Sequence, residues 1–130
     1  MDISITITFA AITAILMAIL SVQVGIKRGQ TKIALGYGDN DNLHLRMRRF
    51  GNLSEYAPMV LLLLLLMELK GISPQYLYTY GGIFIALRLL HPIVLFGDEN
   101  PPKWKMAGRF ISAAGTALLM VLAAGALILY

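Results

Sequence analysis

The sequence predicts an all-α integral membrane protein, a four-helix bundle forming one domain over residues 1–130. Hydrophobic residues make up 58% of the chain and charged residues only 14%, with a mean hydropathy of +0.71. A soluble domain averages about 45–50% apolar and 25% charged, so both deviations point to lipid as the solvent. The apolar residues fall into four runs, each near the roughly 20 residues that cross a bilayer. These runs use most of the chain, so any chemistry has to lie within the bundle or in its short loops.

Span 1 covers residues 3–26 and carries no charge; Lys27 and Arg28 follow it. It lacks the positive n-region of a secretory signal and exceeds the length of a signal's apolar core, which predicts a retained helix. Ala11, Ala14, Ala18, Ser21 and Gly25 repeat along it at spacings of three and four, a stripe of small residues that lets another helix approach closely. Span 2, residues 47–69, contains the Leu61 to Leu66 run and is preceded by the turn formers Gly36-Tyr37-Gly38-Asp39-Asn40-Asp41-Asn42. A tight Gly71-Ile72-Ser73-Pro74 turn leads into span 3, residues 75–96, and Gly97-Asp98-Glu99-Asn100-Pro101-Pro102 leads into span 4, residues 106–130. Span 4 has its own small stripe in Gly108, Ser112 and Thr116, with Gly115 beside them. Both stripes are expected first as packing within one subunit, with an oligomer interface as the alternative.

The basic residues divide unequally between the two sides. Lys27, Arg28, Lys32, Arg46, Arg48 and Arg49 flank the first loop and Lys103, Lys105 and Arg109 the third, while the opposite side holds only Lys70. The positive-inside rule then places both long loops in the cytoplasm and both termini outside. The net charge of +4 does not indicate nucleic acid, because the charges sit between apolar runs and form no basic stripe with interleaved aromatics. Without cysteine there is no disulfide framework and no thiolate nucleophile, and with only His44 and His91 as histidines a metal site is not expected.

Ionisable residues inside the spans are the informative ones. Arg48, Asn52, Glu55 and Tyr56 share one helix face. Glu55 in span 2 and Arg88 in span 3 both lie about 12 Å below the same membrane face, at 1.5 Å per residue. An unpaired ionised group at that depth is costly, so Glu55 and Arg88 are expected to approach each other or a shared ligand. The simplest outcome is a pair that locks spans 2 and 3 together. The surplus of donors at the same mouth, Arg48, Arg49, Asn52, Tyr56, His91 and the loop lysines, points instead to an anionic ligand. His91 is expected as a hydrogen-bonding neighbour, with Pro92 kinking the helix and freeing a carbonyl. Glu68 and Lys70 are expected to snorkel at the far interface, where Tyr76, Tyr78, Tyr80 and Tyr130 form an aromatic belt, with Trp104 doing the same at the inner face.

The run Arg48-x-x-x-Asn52-x-x-Glu55-Tyr56-x-Pro58, followed by Arg88-x-x-His91 in the next span, resembles the MAPEG family, the membrane-associated proteins of eicosanoid and glutathione metabolism. The stretch from Gly36-Tyr37-Gly38-Asp39 through Pro58, ending in Met67-Glu68-Leu69-Lys70-Gly71, is particularly similar to its bacterial branch, which implies a bacterial inner membrane with periplasmic termini. The resemblance implies a homotrimer of four-helix subunits with glutathione as co-substrate, bound near the cytoplasmic side between subunits. It assigns Arg48, Asn52, Glu55, Tyr56 and Arg88 to glutathione, with His91 beside them and Arg28 as the basic residue ending span 1. Glutathione's two carboxylates suit arginine and its ammonium suits Glu55.

Active eicosanoid-pathway members place an arginine at the start of span 4 to stabilise the glutathione thiolate, where this chain offers Lys103, Lys105 and Arg109. The implied function is a glutathione-dependent transferase or peroxidase acting on lipophilic electrophiles that arrive from the membrane lipid, with Lys105 or Arg109 as the catalytic cation. The alternatives are a thiol- or lipid-binding protein of the same fold without catalysis, and a small four-helix exporter. The exporter would be expected to carry a carboxylate in span 1, and span 1 has none.

Overall fold

The computed structural model describes residues 3–97 and 100–129. Asp98, Glu99 and Tyr130, which the sequence reading placed in a loop and in the aromatic belt, lie outside the described residues. The chain folds into α1 (Ser4–Thr31), α2 (Asp41–Leu69), α3 (Pro74–Val94) and α4 (Lys103–Leu129), each long and apolar enough to cross a membrane. The shortest, α3, has 21 residues, about 31 Å at 1.5 Å per residue, which just matches a hydrocarbon core of about 30 Å.

All four helix boundaries at the basic end differ from the sequence reading: α1 runs past 26, α2 starts before 47, α3 stops at Val94 rather than 96, and α4 starts at Lys103 rather than 106. Helix α2 starts at Asp41 because the Asn40 side chain caps it, accepting from the Leu43 amide at 2.9 Å, with Asp41 in the first turn. An acidic residue there complements the positive pole of the helix. Arg46, Arg48 and Arg49 therefore stand on rigid helix. Helix α1 runs on to Thr31 and ends at Lys32 in the left-handed conformation, φ 58°.

Helix α2 touches the other three, α3 touches all of its neighbours, and α1 and α4 do not meet. The core between them is built from Phe9 and Leu20 of α1, Leu53, Val60 and Leu64 of α2, Leu77 and Phe84 of α3 and Leu119 of α4. Close approach depends on glycine at two crossings. A Cβ on Gly81 would run into the Phe9 ring, and one on Gly108 would lie 2.6 Å from Val94. The small stripe of α4 is thus packing within the subunit: Gly108, Ser112 and Thr116 are all buried against α3. The stripe of α1 is not, since Ala11, Ala14, Ala18, Ser21 and Gly25 are all exposed.

At the end opposite the arginines, Glu68 and Lys70 do more than snorkel. No side chain caps α1 at Ile3, and the Glu68 carboxylate of α2 takes that role, accepting from the Ile5 amide at 2.9 Å and the Thr6 amide at 2.8 Å. The Lys70 ammonium donates to the Leu127 carbonyl in the last turn of α4 at 2.8 Å. Each charge meets the helix pole of opposite sign. Tyr76 and Tyr78 are exposed as a belt requires, but Tyr80 is buried at 8% exposure. Seven residues into α3, it has turned inward to the core.

Candidate functional site

Helical spacing delivers the α2 face as expected. Arg48 Nη1 lies 3.4 Å from Glu55 Oε1 across Gly51, and Asn52 Nδ2 donates to the Arg48 carbonyl at 2.9 Å. A Cβ on Gly51 would sit 3.6 Å from that guanidinium and 3.7 Å from that carboxylate, so the pair lies directly over the glycine. Both side chains are about half exposed, 49% and 55%. An exposed pair of this kind contributes only about 0–1 kcal/mol, so a ligand can re-partner either member at little cost.

Arg88 does not pair with Glu55. It is buried at 2% exposure, and its Nη2 donates to the Ser112 carbonyl and, at 2.6 Å, to Thr116 Oγ1 on α4. Its guanidinium carbon lies 5.5 Å from the centroid of the Tyr56 ring, a cation–π contact with α2. Depth along the span, which the two charges share, fixes height and not the direction in which a side chain leaves its helix. Arg88 points into the bundle, whereas Glu55 stands on an exposed face. The Arg88 Nε is buried without a partner, a cost of about 1–3 kcal/mol. His91, one turn on, is buried at 5% exposure.

A polar cavity of about 340 Å3 opens at the basic end, lined by Asp41, His44 and Arg48 of α2, by Leu95 to Gly97 after α3, and by Arg109 of α4. Its volume falls within the roughly 300–1,000 Å3 of small-molecule sites. Arg48 and Arg109, which the sequence reading placed in separate motifs, therefore face one space. The His44 ring that lines it stacks on Tyr37 with centroids 4.0 Å apart. Arg49 is held aside, donating to the Leu95 carbonyl at 3.0 Å on the cavity wall. A larger groove of about 580 Å3 between α3 and α4 at the opposite end has apolar walls, among them Tyr76, Ile83, Leu119 and Leu122, and carries no charged group.

Of the sequence candidates only Arg48 and Arg109 line the cavity; Asn52, Glu55, Tyr56, Arg88, His91, Arg28 and Lys105 do not. Arg28 is committed to the α1–α2 connection: its Nη1 donates to the carbonyls of Ile33, Ala34 and Gly36 at 2.9–3.1 Å, and its Nη2 contacts Met47 Sδ at 3.4 Å. Lys105 lies beside the cavity, its ammonium 5.9 Å from the Phe96 ring centroid and 5.8 Å from that of the exposed Trp104. Ser112 and Thr116 were read from the sequence only as small packing residues. Their hydroxyl groups at a spacing of four, facing a span with a buried arginine, were the available signal for a polar contact. Among the described residues no cluster of three or more metal-ligating side chains occurs.

The chain is 31% identical over 117 residues to inner membrane protein YecN of Escherichia coli strain K12, covering 89% of this chain and 86% of that protein, and equally so to its counterpart in Escherichia coli O6:H1. No solved structure matches it. The family model of the MAPEG family matches residues 6–125, which include the whole α2 motif, Arg88 and Arg109. A four-helix membrane chain with this motif, matched across nearly its full length, belongs to the MAPEG family.

Proposed function

We propose that the protein is an integral inner-membrane enzyme that binds glutathione at the polar cavity and joins it through its sulfur to lipophilic electrophiles, or reduces lipophilic peroxides with it. The observation that carries this reading is the meeting of Arg48 and Arg109, from different helices, in one cavity. Two guanidinium groups around a polar space suit a ligand with several anionic groups. Arg48 takes a glutathione carboxylate. Glu55, released from Arg48, pairs with the α-ammonium, and Asn52 and Tyr56 complete the face. Arg109 is the cation that stabilises the thiolate, because it lines the cavity and Lys105 does not.

In the transferase step the thiol proton leaves to water, the thiolate sulfur bonds to the electrophilic carbon, and the leaving group departs with its electron pair. The basic end faces the cytoplasm in this reading, where glutathione is available, and the termini face the periplasm. The subunit works as a homotrimer. The exposed small-residue face of α1 supports this, since it is left without a helix inside the subunit.

Purified protein is assayed with glutathione and a chromogenic electrophile, beside Arg109→Ala and Lys105→Ala. Conjugation is expected in the parent, with kcat lowered about 100-fold or more by Arg109→Ala, as for loss of one transition-state charge contact, and little changed by Lys105→Ala. Equal activity in both variants sinks the role of Arg109. Glutathione binding without turnover in the parent would identify a binding protein instead.

A further inference from the structure

We infer that Arg88 is a positioning residue of this site: it sets the rotation and depth of the α4 turn that carries Arg109 and does not itself hold the ligand. The inference rests on the functional reading above. Arg88 Nη2 donates to both the Ser112 carbonyl and Thr116 Oγ1, and Thr116 Oγ1 in turn donates to the Ser112 carbonyl at 2.8 Å. Ser112 Oγ donates to the Arg109 carbonyl at 3.0 Å. Through Ser112, whose carbonyl accepts from Arg88 and whose hydroxyl donates to the Arg109 carbonyl, the α3 guanidinium is thus tied to the turn of α4 that carries the arginine. Sterics hold the same crossing, with Gly108 against Val94 and a Cβ on Gly115 only 3.0 Å from Leu87. Steric packing by small residues tolerates sliding by a fraction of a turn, whereas a fork held on two oxygens does not. The Tyr56 ring under the same guanidinium extends the tie to α2, so one buried side chain sets Arg109 and the α2 motif relative to each other. With 2% of its surface exposed, Arg88 has little left to offer a ligand.

The chain contains no cysteine, so spin labels can be placed at will. Leu89→Cys and Ile111→Cys, both exposed at 51% and 54%, report the α3–α4 register in subunits diluted with unlabelled protein. The test compares the parent with Arg88→Gln, Arg88→Lys and Thr116→Val, the last leaving the charge in place should Arg88→Gln fold poorly. Arg88→Gln is expected to shift or broaden the distance distribution. It should lower turnover per bound glutathione by about 100-fold, the effect of a misplacement near 1 Å, while KM changes less than about threefold. Arg88→Lys, which can reach one of the two oxygens, and Thr116→Val should lie in between. A general folding defect would lower the amount of glutathione bound and leave turnover per bound molecule intact. The inference is overturned if Arg88→Gln raises KM about tenfold or more with an unchanged distance, the result for a direct ligand contact. It is equally overturned if neither distance nor kcat moves. If the parent has no glutathione turnover, the functional reading fails, and the spin-label distances still decide whether Arg88 fixes α4.

Discussion

Replacing Glu68 by alanine removes both acceptors at the start of α1, where Ile3 offers no side-chain cap. Loss of an ordinary capping side chain costs about 0.5–2 kcal/mol. The Glu68 carboxylate is partly buried and shared between two amides at 2.8 and 2.9 Å, which adds up to about 1 kcal/mol of interaction with the helix pole. Glu68→Ala is therefore expected to destabilise the subunit by about 0.5–3 kcal/mol. Glu68→Gln, which keeps one carbonyl acceptor and loses the charge, should cost about 1 kcal/mol. The assay is reversible unfolding in mixed micelles at increasing denaturing-detergent fraction, followed by helix content and by labels on α1. Both substitutions should loosen α1 before the rest, because Glu68 ties α1 to α2 at this end. If Glu68→Ala lies within about 0.5 kcal/mol of the parent, the range of a neutral surface change, the carboxylate is not acting as the cap of α1.

Gly81→Ala should destabilise by about 1–3 kcal/mol through the clash with Phe9, and Phe9→Leu in the same chain should recover part of this in the unfolding assay. Arg28→Ala frees the carbonyls of Ile33, Ala34 and Gly36, so limited proteolysis in the α1–α2 connection should speed up while KM for glutathione stays within about twofold. A KM rise of tenfold would restore Arg28 to the ligand site. Ala14→Leu with Ala18→Leu adds bulk to an exposed α1 face, so the subunit should keep its helix content while the proposed trimer dissociates in native mass measurements. An oligomer unchanged by both would remove that face from the interface.

Much of the fold was legible because apolar run length and helical period are local properties. The four spans followed from run length, and the shared face of Arg48, Asn52, Glu55 and Tyr56 followed from spacing. Arg88 shows where this ends. Its depth could be counted from the sequence, but its partners depended on which neighbour lay in the direction its side chain leaves α3, and that is set by packing at Gly108 and Gly115. The partners of Arg28 were hidden for a related reason: loop carbonyls leave no mark on the sequence, yet three of them converge on its guanidinium. The long polar start of α2 looked like loop because its first residues are turn formers, and only Asn40 acting as a cap makes them helical. The convergence of Arg48 and Arg109 required the folded chain, since α2 and α4 are distant in sequence.

The short turn between α2 and α3 gives the molecule an order of completion. Glu68 can engage Ile5 and Thr6 as soon as the first two helices are in the membrane, but Lys70 must wait for Leu127, near the end of synthesis. A nascent chain is therefore fastened on one side early and on the other only when its last helix has been inserted. During that interval Lys70 has no helix end to bind and can be reached from the aqueous phase. The Lys70–Leu127 bond forms only with the arrival of α4, which also brings Arg109 to the cavity at the other end of the molecule.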